Sequence, residues 1–211
     1  KDDHISISDN AVYTFGSGSD DYRVSISAWI YMNTGAAADG FPIVTKWNTD
    51  KREYKFETIS PGKIGFWVYD DSNNAQQGRI YDTALTSYEG QWIHVVATYN
   101  GNEADPDSGI DIYINGEVVD DTNDNDGSGY AGMQNYDNTL FIGRQQLGGK
   151  YANGCITEVS MWNCVLDQDQ VNELYNDGKA LNCLIHSLYL SDNDELLSYW
   201  RNNGLDEWKD L

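Results

Sequence analysis

Residues 25–32 read S-I-S-A-W-I-Y-M, and this period-two alternation, repeated along the chain with turn residues between, constrains the fold more than any other feature. Successive side chains of a strand point to opposite faces, so Ile26, Ala28, Ile30 and Met32 share one face and Ser27, Trp29 and Tyr31 the other. Large apolar groups on both faces predict a strand covered on both sides, as in the interior of a sandwich. Residues 54–59 and 63–69 repeat the pattern around the turn Ser60-Pro61-Gly62. Residues 91–99 are rich in β-branched and aromatic side chains. Asn115-Gly116, between I-D-I-Y-I and E-V-V-D, predicts a type I′ hairpin, because both positions tolerate positive φ. Residues 121–132 read as a long polar loop, and 140–144, 155–162 and 196–200 as further strands. Helical spacing appears once. Asp167 caps and Gln170 closes a capping box, Val171, Leu174 and Tyr175 share a face, and Gly178 follows as the stop, which predicts a helix over 168–177. The expected fold class is all-β, an antiparallel two-sheet sandwich with one short helix in the C-terminal region.

The 211 residues suit one such sandwich and bury roughly 70% of the unfolded chain's surface, so the core requires neither metal nor disulfide. No repeat or composition break divides the chain, and residues 1–211 read as a single domain. The net charge of −21 repels phosphate backbones and anionic membranes, which argues against a nucleic-acid partner. It suits bound cations or screening salt, or solubility alone. Three cysteines with no C-x-x-C argue against a zinc site or redox pair, and leave both one bridge with a free thiol and a fully reduced chain open. No apolar run is long enough to span a bilayer, so membrane insertion is not expected. The chain opens at Lys1 without an initiator Met or a signal peptide, and reads as a piece of a longer polypeptide.

Seven motifs in order carry a family likeness: S-I-S-A-W-I-Y at 25–31, I-V-T-K-W at 43–47, E-G-Q-W-I-H-V-V-A-T-Y at 89–99, I-D-I-Y-I-N-G at 110–116, L-F-I-G at 140–143, Y-A-N-G-C-I-T-E-V-S-M-W at 151–162, and L-D-Q-D-Q-V-N-E-L-Y-N-D-G at 166–178. Together they resemble the laminin-G-like, concanavalin-A-like superfamily of lectins, adhesion modules and glucanases. The versions most similar in look occur in marine bacteriophage structural proteins and bacterial surface proteins. The resemblance implies a jelly-roll sandwich, a location outside the cell or on a virion, and attachment to a larger multi-copy assembly. Two departures stand out. Thr157 replaces the first of the acidic pair such domains carry, leaving Glu158 alone, and 196–210 looks like a segment that usually opens the domain.

A glucanase needs two carboxylates across the scissile bond, and the family's hydrolases place them on one strand as E-x-D-x-E. That motif is absent. The nearest, Glu53-x-Lys55-x-Glu57, reads as a charge-paired exposed face, and the chain is not expected to be an enzyme. The G-x-G-x-x-G at 127–132 follows an acidic loop rather than a buried strand, and reads as a chance match. His94 reads as a core or edge residue. The acidic loops offer hard oxygen ligands at alternating positions, which Ca²⁺ prefers, with Asp105, Asp107, Asp124 and Asp126 as candidates. Aspartates in solvated turns explain the same pattern. Trp47, Tyr69, Asp70, Asp71, Arg79 and Tyr130 flank loops and are the expected contacts for a polysaccharide or cell-surface glycan. The expected function is a non-catalytic carbohydrate-binding or adhesion module. The competing readings are a ligand-free spacer of a virion or fibre and a divergent glycoside hydrolase.

Overall fold

In the computed structural model the described residues are 3–102, 107–119, 122–126, 129–191, 195–201 and 209–210. In chain order the strands are β1 (Ile5–Ile7), β2 (Val24–Met32), β3 (Pro42–Asn48), β4 (Lys51–Ile59), β5 (Lys63–Asp70), β6 (Ala75–Ile80), β7 (Trp92–Tyr99), β8 (Ile110–Ile114), β9 (Glu117–Val118), β10 (Thr122–Asn123), β11 (Leu140–Ile142), β12 (Arg144–Gln145), β13 (Lys150–Tyr151), β14 (Gly154–Trp162), β15 (Leu196–Arg201) and β16 (Lys209–Asp210). They form two antiparallel sheets, ordered β1-β11-β3-β4-β5-β6-β10 and β16-β15-β14-β2-β7-β8-β9, with β12 and β13 as a separate pair. This is the expected two-sheet sandwich.

The alternation assigned in β2 places its residues as expected. Ile26, Ala28, Ile30 and Met32 lie in the inter-sheet core with Val44, Phe56, Phe66 and Val68 of the facing sheet. Trp29 faces the other way and is buried too, its ring 6.0 Å from Tyr175 and 5.4 Å from His94. The helix Gln168–Tyr175 covers that outer face. Asp167 accepts from the Gln170 N–H at 2.9 Å, and the Gln170 side chain accepts from the Asp167 N–H at 2.9 Å, so the capping box forms as read. The helix ends two residues earlier than expected, because Asn176 takes the left-handed conformation before Gly178 is reached. Its buried Val171 and Leu174 pack with Trp162, Tyr113 and Tyr199, each contributing roughly 1.5–3 kcal/mol. The Asn115-Gly116 turn has φ of +52° and +87°, the hairpin geometry anticipated. The 196–201 segment is integral to the second sheet, paired with β14 on one side and β16 on the other.

One reading of charged residues is corrected, and one departure from the family pattern is explained. The Glu53, Lys55, Glu57 stretch is not an exposed face: Glu53 and Glu57 are both buried. Glu53 sits where the β3–β4 register shifts between Lys46 and Trp47, and pairs with Lys46, while Glu57 pairs with Lys55 at 2.8 Å. Glu158, left without its acidic neighbour, sits in a β-bulge of β14 at φ +52°. Its carboxylate holds Arg201 at 2.9 Å and accepts the Tyr199 hydroxyl, so its role here is to fasten β14 to β15. Burial raises its pKa against the pull of Arg201. All three cysteines are free thiols, and burial pushes Cys164 and Cys183 up to about 12.

His94 is buried on β7, its Nε2 2.8 Å from Ser27 Oγ and its Nδ1 without a partner among the described residues. Burial lowers its pKa to about 3, from the ordinary 6.5 that the unfolded chain retains. Between those values the unfolded state binds the extra proton, so stability rises with pH and is lost as pH falls below 6.5. At about 1.4 kcal/mol per pH unit, His94 removes about 2 kcal/mol between pH 6.5 and 5. Urea unfolding at the two pH values measures this, and a His94→Gln variant flattens that part of the profile.

Candidate functional site

At one end of the sandwich β2, β4, β6 and β15 begin and β3, β5, β7 and β14 finish. Two segments, 8–23 and 129–139, cross this end outside the main ladders, fixed by side chains and by a few backbone bonds such as that from the Gly18 N–H to the Met133 carbonyl at 2.8 Å. Asp70, at the tip of β5, is fully buried and accepts from Ser72 Oγ, the Asn73 N–H, Asn73 Nδ2, the Ala131 N–H and Gln134 Nε2, at 2.7 to 3.2 Å. Burial alone would raise its pKa, but the bonds from Ser72, Ala131 and Asn73 outweigh it and hold the carboxyl below its ordinary value. Asp21 accepts from the Tyr99 hydroxyl at 2.5 Å, the Tyr130 hydroxyl at 2.7 Å and the Met133 N–H at 2.6 Å. Burial and the Asp21 charge push the Tyr130 phenol far up.

A third tie is a buried cation. Lys46 Nζ has no exposed surface and lies 2.8 Å from Asp9 and 2.9 Å from Glu53, with Thr14 Oγ1 and the Tyr136 carbonyl at 3.4 Å. Glu53 also accepts the Tyr136 N–H at 3.3 Å. Burial pushes Glu53 up to about 7 in spite of Lys46. The sequence reading did not select Lys46, although its alternation with Val44 on β3 points it inward and was the signal that could have found it.

The ties present a patch at the rim. Asp71 pairs with Arg52 and bonds the Tyr136 side chain, and Arg52 also reaches Asn74 at 2.7 Å. The Arg52 guanidinium lies 5.5 Å from the Tyr69 ring centre, and half-buried Trp47 lies 6.2 Å from the same ring. The structure thus brings Trp47, Tyr69, Asp70 and Asp71 together with Tyr136, an aromatic that also flanks a loop in the sequence, and adds Arg52, which the sequence reading did not select. Tyr69 and Asp70 are corrections to the expected exposure: the first packs under Arg52 and Trp47, and the second spends its oxygens on loop donors. Tyr130 lies in the adjoining loop but turns its hydroxyl inward to Asp21. Arg79 is separate. It pairs across from core-facing Phe66, on the opposite sheet face from Trp47, and bonds Asn123 at 2.9 Å.

Behind the patch, Trp67 lies flat on the outer sheet face. A Cβ at Gly78 would come within 2.2 Å of its ring and one at Gly65 within 2.4 Å. Its indole N–H donates to Asp124 at 2.9 Å, and Lys55 Nζ sits 4.5 Å from its centre. Among the expected metal ligands, Asp105 and the Asp107 side chain lie outside the described residues, Asp124 is half-buried against Trp67, and Asp126 is exposed. Among the described residues, no group of three or more His, Cys, Asp or Glu side chains is gathered to hold a metal ion. No helix is long and apolar enough to cross a membrane.

The fold and this rim define a lectin-like sandwich with a loop-borne surface. A sequence profile of the concanavalin A-like lectin/glucanases superfamily matches residues 1–172, and the chain belongs to that superfamily. Among solved structures, a Bacteroides ovatus protein assigned to carbohydrate binding superposes with a TM-score of 0.63 at 18% identity, over 99% of this chain and 53% of that one. The botulinum neurotoxin serotype D binding domain gives 0.57 at 18% identity, over 83% of this chain and 40% of that one. The botulinum neurotoxin DC binding domain in complex with rat synaptotagmin II gives 0.55 at 19%, again over 83% and 40%. The chain spans about two fifths to one half of the length of these structures. No curated protein matches in sequence.

Removing the Lys46 ammonium leaves the Asp9 and Glu53 carboxylates facing each other without a counter-charge. A Lys46→Met variant is expected to lose about 3–5 kcal/mol, read by denaturant unfolding. A second substitution, Glu53→Gln, is expected to recover part of that loss.

Proposed function

We propose that this domain is a non-catalytic carbohydrate-binding module that presents the Trp47, Tyr136 and Arg52–Asp71 patch to a glycan. The observation that carries the reading is this patch, an aromatic surface flanked by a guanidinium and a carboxylate and held on fully bonded loops. An indole face packs against the C–H face of a sugar ring, and Arg52 and Asp71 reach its hydroxyls. Tyr69 and Asp70 act beneath the patch, and Tyr130 beside it, as supports. Loops already fixed by Asp70 and Lys46 lose little ordering entropy on binding. The binding assignment of the Bacteroides ovatus protein supports the same reading. So does the burial of Glu53 and Glu57, whose carboxyls face lysines inside the protein rather than a substrate.

One stack with two or three hydrogen bonds supports a Kd of roughly 0.1–1 mM. Useful adhesion then needs many linked copies, as on a virion or a cell surface outside the cytoplasm. Display of the domain on beads against algal and bacterial polysaccharides tests this. Retention of at least one polysaccharide is expected, with Trp47→Ala abolishing it and Arg79→Ala leaving it unchanged. Equal retention by the Trp47→Ala beads counts against the patch, and no retention of any polysaccharide favours a spacer role.

Calcium at the loops of Asp105, Asp107, Asp124 and Asp126 belongs to the same proposal. Among the described residues, the hydrogen bond that Asp124 accepts from Trp67 engages Oδ2, and Oδ1 is the oxygen proposed for the ion. A site present only in the folded state raises the melting temperature by mass action. The expected result is a higher Tm in calcium than in chelator, and coincident melts remove calcium from the proposal.

A further inference from the structure

A groove of about 490 Å³ opens at the same end of the sandwich, on the side of the second sheet, and the patch contacts none of it. Its size falls within the roughly 300–1,000 Å³ of small-ligand clefts. The segment after β1, the start of β2, the ends of β7 and β14 and the start of β15 enclose it. Among its lining residues Val12 is 45% exposed and Tyr22 50%, so an aromatic and an aliphatic side chain face solvent inside a concavity. Scattered exposed apolar residues need no explanation; two lining one groove beside unfilled polar groups do.

Those polar groups are specific. The exposed Arg23 guanidinium makes no hydrogen bond or ion pair among the described residues, although acidic residues outnumber basic ones 34 to 13. The exposed Asn163 amide has no side-chain partner there either. Asn100 turns its oxygen back to the Asn102 N–H at 2.9 Å, which leaves its NH2 to donate. The Asp21 carboxylate lies at the floor with Tyr99, Tyr130 and Met133 already bonded to it.

We infer that this groove is a second saccharide site, taking a neutral, hydroxyl-rich chain. The inference rests on the carbohydrate-binding reading and deepens it. Amides that donate and accept match neighbouring hydroxyls, and Tyr22 and Val12 offer a surface to ring C–H groups. The class is neutral because the buried Asp21 carboxylate also lines the groove, and because the field of a −21 chain repels polyanions. Asp21 joins the two sites physically. It bonds Tyr130 and Met133 from the loop that bears Tyr136, so the groove and the patch are rigid with respect to each other and can engage one chain at two points.

Affinity electrophoresis through gels containing galactomannan, laminarin or alginate tests the assignment, with wild type, Tyr22→Ala, Asn163→Ala, Arg23→Ala and Trp47→Ala. All four side chains are partly or fully exposed, and unchanged melting temperatures verify folding. On a neutral gel that retards wild type, Tyr22→Ala and Asn163→Ala are each expected to weaken binding about tenfold, the loss of roughly 1.4 kcal/mol. If both migrate as wild type does while Trp47→Ala loses retardation, the groove is wrong and the patch stands. If Trp47→Ala migrates as wild type and the groove variants do not, the groove stands and the patch falls. Retardation by alginate alone, abolished in Arg23→Ala, overturns the neutral class. Free migration of wild type in every gel overturns both sites.

Discussion

Two buried carboxylates hold the loop end of this molecule together. A sandwich satisfies its backbone through its ladders, but the segments crossing its end have no ladder and must find other partners. Asp70 supplies acceptors for donors from two loops, and Asp21 for two tyrosine hydroxyls and a backbone N–H. A charged acceptor bonds more strongly than a neutral one, and in a low-dielectric setting each bond also offsets the desolvation of the carboxylate. The 129–134 segment is the shared element, because Ala131 and Gln134 bond Asp70 while Tyr130 and Met133 bond Asp21. Both candidate surfaces take their rigidity from this one segment.

The chain deploys its few cations with the same economy. The pairs of Lys46 with Glu53, Arg52 with Asp71, Lys55 with Glu57 and Arg201 with Glu158 involve carboxylates that are half-buried or buried, while Asp9 beside Lys46 and Asp82 beside Lys63 are exposed. Unpaired, such carboxylates would be costly, whereas exposed acids are solvated and need no partner. The surplus negative charge therefore lies on the surface, where it keeps phosphates away and suits a neutral ligand. The concentration of paired charges at the rim explains why Arg52 and Lys46 matter there although neither belongs to a recognisable motif.

The outer face of the first sheet follows from packing rather than recognition. Trp67 can lie flat only because Gly65 and Gly78 on neighbouring strand positions carry no Cβ, and its inward face then rests on backbone. Lys55 covers the other face and Asp124 takes its N–H. Trp67 is in this way consumed by the sheet, and the half-buried Trp47 at the strand end stays partly open to solvent.

The sequence alone determined the sandwich, the inward face of β2, the Asn115-Gly116 hairpin and the capped helix, because each rests on local periodicity or on the dihedral preferences of adjacent residues. It also singled out the loop-flanking residues Trp47 and Asp71, which the fold places at one rim. Only the tertiary structure decided which loop residues are free. Asp70 and Tyr130 look like surface groups in sequence, yet Asp70 also takes the Ala131 N–H from 61 positions away and Tyr130 donates to Asp21 109 positions away. Glu53 and Glu57 likewise read as a solvated face until a register shift and two lysines bury them. The groove between Tyr22, Asn100 and Asn163 could not be read at all, since its walls come from strand ends that only the closure of the second sheet brings together.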